Sequence, residues 1–177
     1  MRLRLLPALA LIAAATPAFA HRLEGYLQAS VLSLGAEDLT ISLSLTPGND
    51  VAKALKTEID TDADGSLALS ELQHYAETVG SDLHVTLDGK TVPLSLEEIV
   101  APEQSQFLDG HAPLVLTFIA AMPRGSGAHR LVYENAHHPD SAVRLVNLEV
   151  PSDPIAPGTQ ERTEDQARYE LSFDRAR

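Results

Sequence analysis

One acidic segment of twelve residues, residues 60–71, constrains the fold more strongly than any other part of the sequence. It reads Asp-Thr-Asp-Ala-Asp-Gly-Ser-Leu-Ala-Leu-Ser-Glu, with aspartates at its first, third and fifth positions and a glutamate at its twelfth. Carboxylates at alternate positions converge on one point only when the chain winds tightly. Gly65 is the residue best able to adopt the positive φ that such a turn requires. The segment therefore predicts a tight loop that gathers acidic oxygens around one point.

Apolar residues recur at helical spacing on both sides of this loop. The residues concerned are Val51, Ala54, Leu55 and Ile59 before it, and Leu72, Tyr75, Ala76 and Val79 after it. Asn49 and Asp50 can each serve as the N-cap of the first helix. Residues 49–79 are therefore predicted to form a helix, a loop and a second helix.

The predicted loop contains the donor set of a calcium site. Calcium is a hard cation that takes six to eight oxygen ligands at about 2.3–2.6 Å. The predicted ligands are the side chains of Asp60, Asp62, Asp64 and Glu71 and the backbone carbonyl of Ser66. Glu71 falls in the first turn of the second helix, where it can offer both carboxylate oxygens. Ca²⁺ is therefore the expected cofactor.

This segment resembles the calcium loop of the EF-hand family, because it matches D-x-[DN]-x-[DN]-G-x5-E at every defined position. The resemblance is local and covers residues 49–79. It implies a bound Ca²⁺ ion and an apolar residue, Leu67, turned toward the core. EF-hands usually occur as pairs that share a small sheet between their loops, and the sequence contains no second loop of this kind. We therefore expect a structural calcium site and not a paired signalling switch.

Strict alternation of apolar and polar residues predicts that the rest of the chain is mainly β. Residues 39–45 show it most clearly, and Asp88-Gly89 is typical of a hairpin turn. The predicted strands cover residues 26–34, 39–45, 83–87, 91–96, 114–119, 130–134, 143–150 and 168–173. About seven or eight short strands separated by turns indicate a β-sandwich-like fold of antiparallel sheets with one inserted helix-loop-helix.

The N-terminal residues have the pattern of a secretory signal peptide. Arg2 and Arg4 form a short positive segment, residues 5–15 are almost continuously apolar, and residues 18–20 form a small-x-small cleavage site. The apolar run is shorter than the roughly 20 residues that cross a bilayer as a helix. Removal of residues 1–20 would leave a periplasmic or secreted protein.

Three segments are therefore expected along the chain. Residues 1–20 are the signal peptide, and residues 21–150 form the sandwich-like domain with its insertion at residues 49–79. Residues 151–177 form a Pro-rich, polar linker followed by the C-terminal strand.

The charge balance and the absence of cysteine exclude several function classes. The chain has 13 Lys+Arg against 25 Asp+Glu, a formal net charge of −12. Nucleic acids and anionic membrane surfaces attract basic faces, so neither is an expected partner, and membrane insertion of the mature chain is not expected. Zero cysteine excludes disulfides, zinc–thiolate sites, iron–sulfur ligation and thiol nucleophiles.

Catalytic motifs are also missing from the sequence. It contains no Gly-x-Ser-x-Gly elbow, phosphate-binding glycine loop or His-Glu-x-x-His helix, so enzymatic activity is not expected. The expected partners are the calcium ion and another periplasmic or membrane protein.

His21 leaves a second metal hypothesis open. After cleavage it would be the N-terminal residue, and its amine and imidazole would form, with a second imidazole, a three-nitrogen site suited to Cu(II). The candidate partners are His111, His129, His137 and His138. No spacing connects His21 to any of them, so a periplasmic copper-binding protein stands as the alternative to a calcium-binding one.

A second resemblance extends beyond the acidic loop. His21-Arg22-Leu23, residues 60–75 and Leu87-Asp88-Gly89 look like parts of the soluble extracytoplasmic domain that precedes the membrane part of hydrogenase/urease-type nickel/cobalt permeases. The sequence predicts no transmembrane helix, so transport itself is not implied. The resemblance implies a free-standing relative with a metal-related accessory or partner-binding role.

Overall fold

The structure, a computed structural model, describes residues 25–149 and 154–176. These residues form two five-stranded sheets and three helices, so the fold is mainly β and sandwich-like, as predicted. The predicted signal peptide and His21 lie outside the described residues.

The strands are β1 (Tyr26–Leu34), β2 (Asp38–Pro47), β3 (Leu83–Leu87), β4 (Lys90–Val92), β5 (Ser95–Val100), β6 (Leu114–Ala121), β7 (Gly127–Asn135), β8 (Ala142–Leu148), β9 (Ile155–Arg162) and β10 (Arg168–Arg175). The helices are α1 (Asn49–Ile59), α2 (Leu69–Asp82) and α3 (Gln104–Leu108). The first sheet has the order β5-β6-β2-β1-β8 and the second β4-β3-β7-β10-β9.

Alternating side chains from both sheets build the core. In β2 every second residue from Leu39 to Leu45 is fully buried, and in β10 Tyr169 and Leu171 are buried in the same way. The Ser30 hydroxyl on β1 is 2.8 Å from the Tyr133 hydroxyl on β7, so the inner faces of the two sheets are in contact. Each fully buried leucine contributes about 1.5–3 kcal/mol of transfer free energy.

The helix-loop-helix lies between the two sheets along the chain. It follows β2 of the first sheet, and α2 leads directly into β3 of the second. Leu55 and Ile59 of α1 and Val79 of α2 are buried in the common core. The acidic loop is therefore held at both ends by helices that pack on the sandwich.

The predicted hairpin at residues 83–96 is confirmed only around its turn. β3 pairs with β4 across Asp88 and Gly89, which have φ values of 52° and 77° as a two-residue hairpin turn requires. β4 ends at Val92, and residues from Ser95 onward form β5 in the other sheet. Pro93 lacks an N–H group and cannot extend the ladder, which explains the break.

The predicted linker before the C-terminal strand is wrong over residues 155–162. These residues form β9, which pairs antiparallel with β10 at the edge of the second sheet. After Ile155 every residue of β9 is exposed. A strand exposed on both faces has no alternating pattern, and its polar composition therefore resembled that of a linker.

Candidate metal centre

Two buried helix ends fix the position of the acidic loop. Ile59, the last residue of α1, is 1% exposed, and Leu72 in the first turns of α2 is buried as well. Leu69 begins α2, so Glu71 lies within its first turn, as the sequence predicts. The two ends of the dodecapeptide are therefore set by core packing.

Three of the predicted ligands lie together. Asp60, Asp62 and Glu71 each offer a carboxylate oxygen, and these oxygens lie within 4.8 Å of one another. Two oxygens bound to one calcium at about 2.3–2.6 Å can be at most about 5 Å apart. In the part of the chain that the structure describes, this is the one group of three or more His, Cys, Asp or Glu side chains so placed.

The backbone turns sharply between the first and seventh positions of the loop. Gly65 has φ +90°, the left-handed conformation for which a glycine is best suited. Its N–H donates to Asp60 Oδ2 at 3.0 Å, and the N–H of Asp64 donates to Asp62 Oδ1 at 3.1 Å. Asp64 lies outside the three-residue group, and its Oδ1 accepts the N–H of Ser66 at 2.7 Å.

The Glu71 carboxylate accepts hydrogen bonds from backbone N–H groups at both ends of the loop. Its Oε1 accepts the N–H of Thr61 at 2.6 Å, and its Oε2 accepts the N–H of Ala68 at 2.9 Å. These bonds stabilise the charged form, so they hold the pKa of this carboxyl below its usual range, the Ala68 bond contributing most. Glu71 is consequently an ionised ligand candidate at neutral pH.

Asp60 has one oxygen that the loop leaves unsatisfied. Its Oδ1 is buried, and among the described residues it has no hydrogen-bond partner. A buried acceptor without a partner costs about 1–3 kcal/mol. The orphaned oxygen belongs to the same side chain that joins Asp62 and Glu71, and a bound cation would satisfy it.

A glutamine from a distant segment also contacts the loop. Gln104, the first residue of α3, accepts the N–H of Leu67 at 2.9 Å and donates to the carbonyl of Gly65 at 3.0 Å. No spacing in the sequence connects this residue to the acidic segment, so sequence reasoning missed it.

Two of the four histidines named for copper use both ring nitrogens in hydrogen bonds. His137 is buried, and its two ring nitrogens lie 2.8 Å from Asp82 Oδ2 and 2.9 Å from the Tyr75 hydroxyl. His129 is bonded through both ring nitrogens to Asp88 and to the carbonyl of Gly125. Neither side chain has a ring nitrogen left for a metal without breaking these bonds.

The other two histidines named for copper are His138 and His111. His138 lies 3.1 Å from a carboxylate oxygen of Glu58, and His111 is exposed. His21 lies outside the described residues, so its position relative to these four histidines is not described.

Comparison with known proteins gives no family. No protein-family model matches the chain, and neither a curated protein nor a solved structure is significantly similar to it. Within residues 25–149 and 154–176, no helix is both long enough and apolar enough to cross a membrane.

Proposed function

We propose that this protein binds one Ca²⁺ ion in the EF-hand-type loop between α1 and α2, and that the ion stabilises this segment of a β-sandwich-like module. The ligands are the side chains of Asp60, Asp62, Asp64 and Glu71 and the backbone carbonyl of Ser66. The observation that carries the proposal is the convergence of Asp60, Asp62 and Glu71 within 4.8 Å.

The chemistry of the donors favours calcium over other metals. All proposed ligands are oxygens, whereas zinc and copper sites in proteins generally contain nitrogen or sulfur. Mg²⁺ demands near-ideal octahedral geometry at about 2.0–2.1 Å and keeps several waters. A loop with four carboxylates and a glutamate that can bind through both oxygens suits the larger ion.

Calcium binding would replace hydrogen bonds of the Glu71 carboxylate with contacts to the ion. The N–H groups of Thr61 and Asp62 now donate to its Oε1, at 2.6 Å and 3.4 Å. Ligation through both oxygens would weaken these bonds and replace them with contacts to the cation. This exchange offsets part of the gain from ligation, so a modest affinity is expected.

Export of the chain would place this site where calcium is abundant. Extracellular modules bind calcium with dissociation constants of about 10⁻⁴–10⁻³ M. An ion that binds only the folded state stabilises it by RT ln(1 + [L]/Kd), which is about 1.4 kcal/mol at tenfold excess over Kd. A weak calcium site can therefore still stabilise the folded state.

The proposal is tested by comparing calcium binding of the wild type and Asp60→Ala. Calorimetric titration should show one Ca²⁺ site with weaker Mg²⁺ binding in the wild type and no calcium binding in the variant. The melting temperature of the wild type should rise in calcium relative to chelator, and that of Asp60→Ala should not.

Asp174→Ala is the matched control, since it removes one exposed aspartate from β10 in the second sheet. It should bind calcium like the wild type. Calcium binding by Asp60→Ala combined with Glu71→Ala, at wild-type affinity, would show that the ion lies elsewhere.

A further inference from the structure

The side-chain amide of Gln104 bonds the loop backbone on both sides of Ser66. Its Oε1 accepts the N–H of Leu67 at 2.9 Å, and its Nε2 donates to the carbonyl of Gly65 at 3.0 Å. One side chain thus satisfies a donor and an acceptor two residues apart, as the backbone of a neighbouring strand does.

These two bonds determine the direction of the Ser66 carbonyl. The N–H of Leu67 and the C=O of Ser66 belong to one planar, trans peptide unit, so they point in opposite directions. Because the N–H points at Gln104, the Ser66 carbonyl points away from it. The preceding peptide unit is set likewise, with the Gly65 carbonyl on Gln104 and the Ser66 N–H on Asp64 Oδ1 at 2.7 Å.

Gln104 belongs to a helix that packs on the core. It is the first residue of α3, and Phe107 in the same helix is 2% exposed. α3 packs against α1 and β2. The amide is therefore presented from a fixed support, 39 residues along the chain from the glycine that it contacts.

We propose that Gln104 is a positioning residue of the calcium site, which orders the backbone around Ser66 so that its carbonyl is ready to bind the ion. This inference rests on the proposed function. Loop ordering costs conformational entropy, and a ligand binds more tightly when that cost has been met before binding. Without Gln104 the ion itself must order residues 65–67.

The test compares calcium affinity in Gln104→Ala and Gln106→Ala. Gln106 lies in the same helix and is exposed, so its replacement makes the same chemical change away from the loop. Gln104→Ala should raise the Kd for Ca²⁺ about tenfold, or about 1.4 kcal/mol, because the ion must then supply the ordering of residues 65–67. Gln106→Ala should leave it unchanged.

A second measurement separates positioning from general stability. Amide hydrogen exchange of Leu67 should be faster in Gln104→Ala than in the wild type in the presence of chelator, because its N–H no longer donates to Gln104. A variant that melts earlier in chelator but binds calcium with unchanged Kd would overturn the positioning role.

The outcomes distinguish this inference from the proposed function. If the wild type binds calcium and Gln104→Ala binds it equally well, only the role of Gln104 is overturned. If the wild type takes up no calcium, the proposed function fails and the inference fails with it.

Discussion

Glu71 makes the most hydrogen bonds of the acidic side chains in the loop. It accepts the N–H groups of Thr61, Asp62 and Ala68 and also the Thr61 hydroxyl. The same carboxylate therefore serves the loop in two ways. Through these bonds it orders the backbone of the loop, and it would close the coordination shell around a bound ion.

A pH dependence follows for the calcium-free protein. The pKa of Glu71 is lowered in the folded state, chiefly by the Ala68 N–H, from an ordinary value of 4.5. A lowered folded pKa stabilises the fold above pH 4.5, and this contribution is lost as the pH falls through the folded-state pKa. In chelator, thermal melts between pH 6 and pH 3 should show a smaller decrease for Glu71→Gln than for the wild type.

Glu77→Gln serves as the control for this measurement, because Glu77 is exposed on the same helix and its replacement also removes one negative charge. An equal decrease in melting temperature from pH 6 to pH 3 in the wild type and in Glu71→Gln would contradict the assignment of this acid-sensitive contribution to Glu71.

Local spacing was enough to predict three members of the acidic site. Asp60, Asp62 and Glu71 lie within one dodecapeptide, and their convergence follows from the winding of a short loop around Gly65. Gln104 could not be predicted in this way. Its contact with Leu67 depends on how α3 packs, which no local pattern in the sequence encodes.

At the scale of elements, α2 approaches a buried ring of β6 closely at Gly80. A Cβ atom at Gly80 would lie 2.8 Å from Cε1 of Phe118, a ring that is only 2% exposed. No side chain fits between the helix and this ring. The glycine is required here by the close approach, although it lowers the intrinsic stability of the helix.

Gly80→Ala is therefore expected to destabilise the protein. Alanine would improve helix propensity by about 1 kcal/mol. Overpacking against a rigid buried ring costs about 1–3 kcal/mol, and it should outweigh that gain. Urea unfolding should show a lower midpoint for Gly80→Ala than for the wild type, whereas Gln73→Ala, at an exposed position of the same helix, should be nearly neutral.

The elements that could be predicted are those with one buried face. β2 and β10 alternate because one side of each strand faces the core, so their periodicity was visible in the sequence. β5 and β9 lie at sheet edges with mostly exposed or half-buried side chains, and for that reason the sequence pattern predicts only the first two residues of β5 and none of β9. Burial on one face, and not strand formation itself, produces the recognisable pattern.

At the scale of the whole molecule, the last residue of β9 and the turn before β10 cover the outer edge of β8 at Val146. Gln166 Oε1 accepts the N–H of Val146 at 3.0 Å, and Arg162 Nε donates to the carbonyl of Val146 at 3.0 Å. Val143 and Leu145 on the same strand are exposed. An edge strand with free backbone groups and exposed apolar side chains is a site of self-association.

Replacing both Arg162 and Gln166 by alanine should open this edge. The double variant should form dimers or larger aggregates at concentrations where the wild type is monodisperse, as sedimentation velocity would detect. Arg124→Ala combined with Gln73→Ala makes the same change of composition and charge at exposed positions elsewhere. Equal sedimentation of the double variant and the wild type would show that these two side chains do not block association.

The parallel pairing of β1 with β8 joins the first described strand to one that lies more than a hundred residues later. The chain must be available as far as Ala142 before Tyr26 acquires its second neighbour, and as far as Leu148 before Leu32 does. Contacts between such distant segments slow folding, because the long intervening chain must first be confined. The first sheet is therefore expected to close late, when most of the polypeptide has already been synthesised.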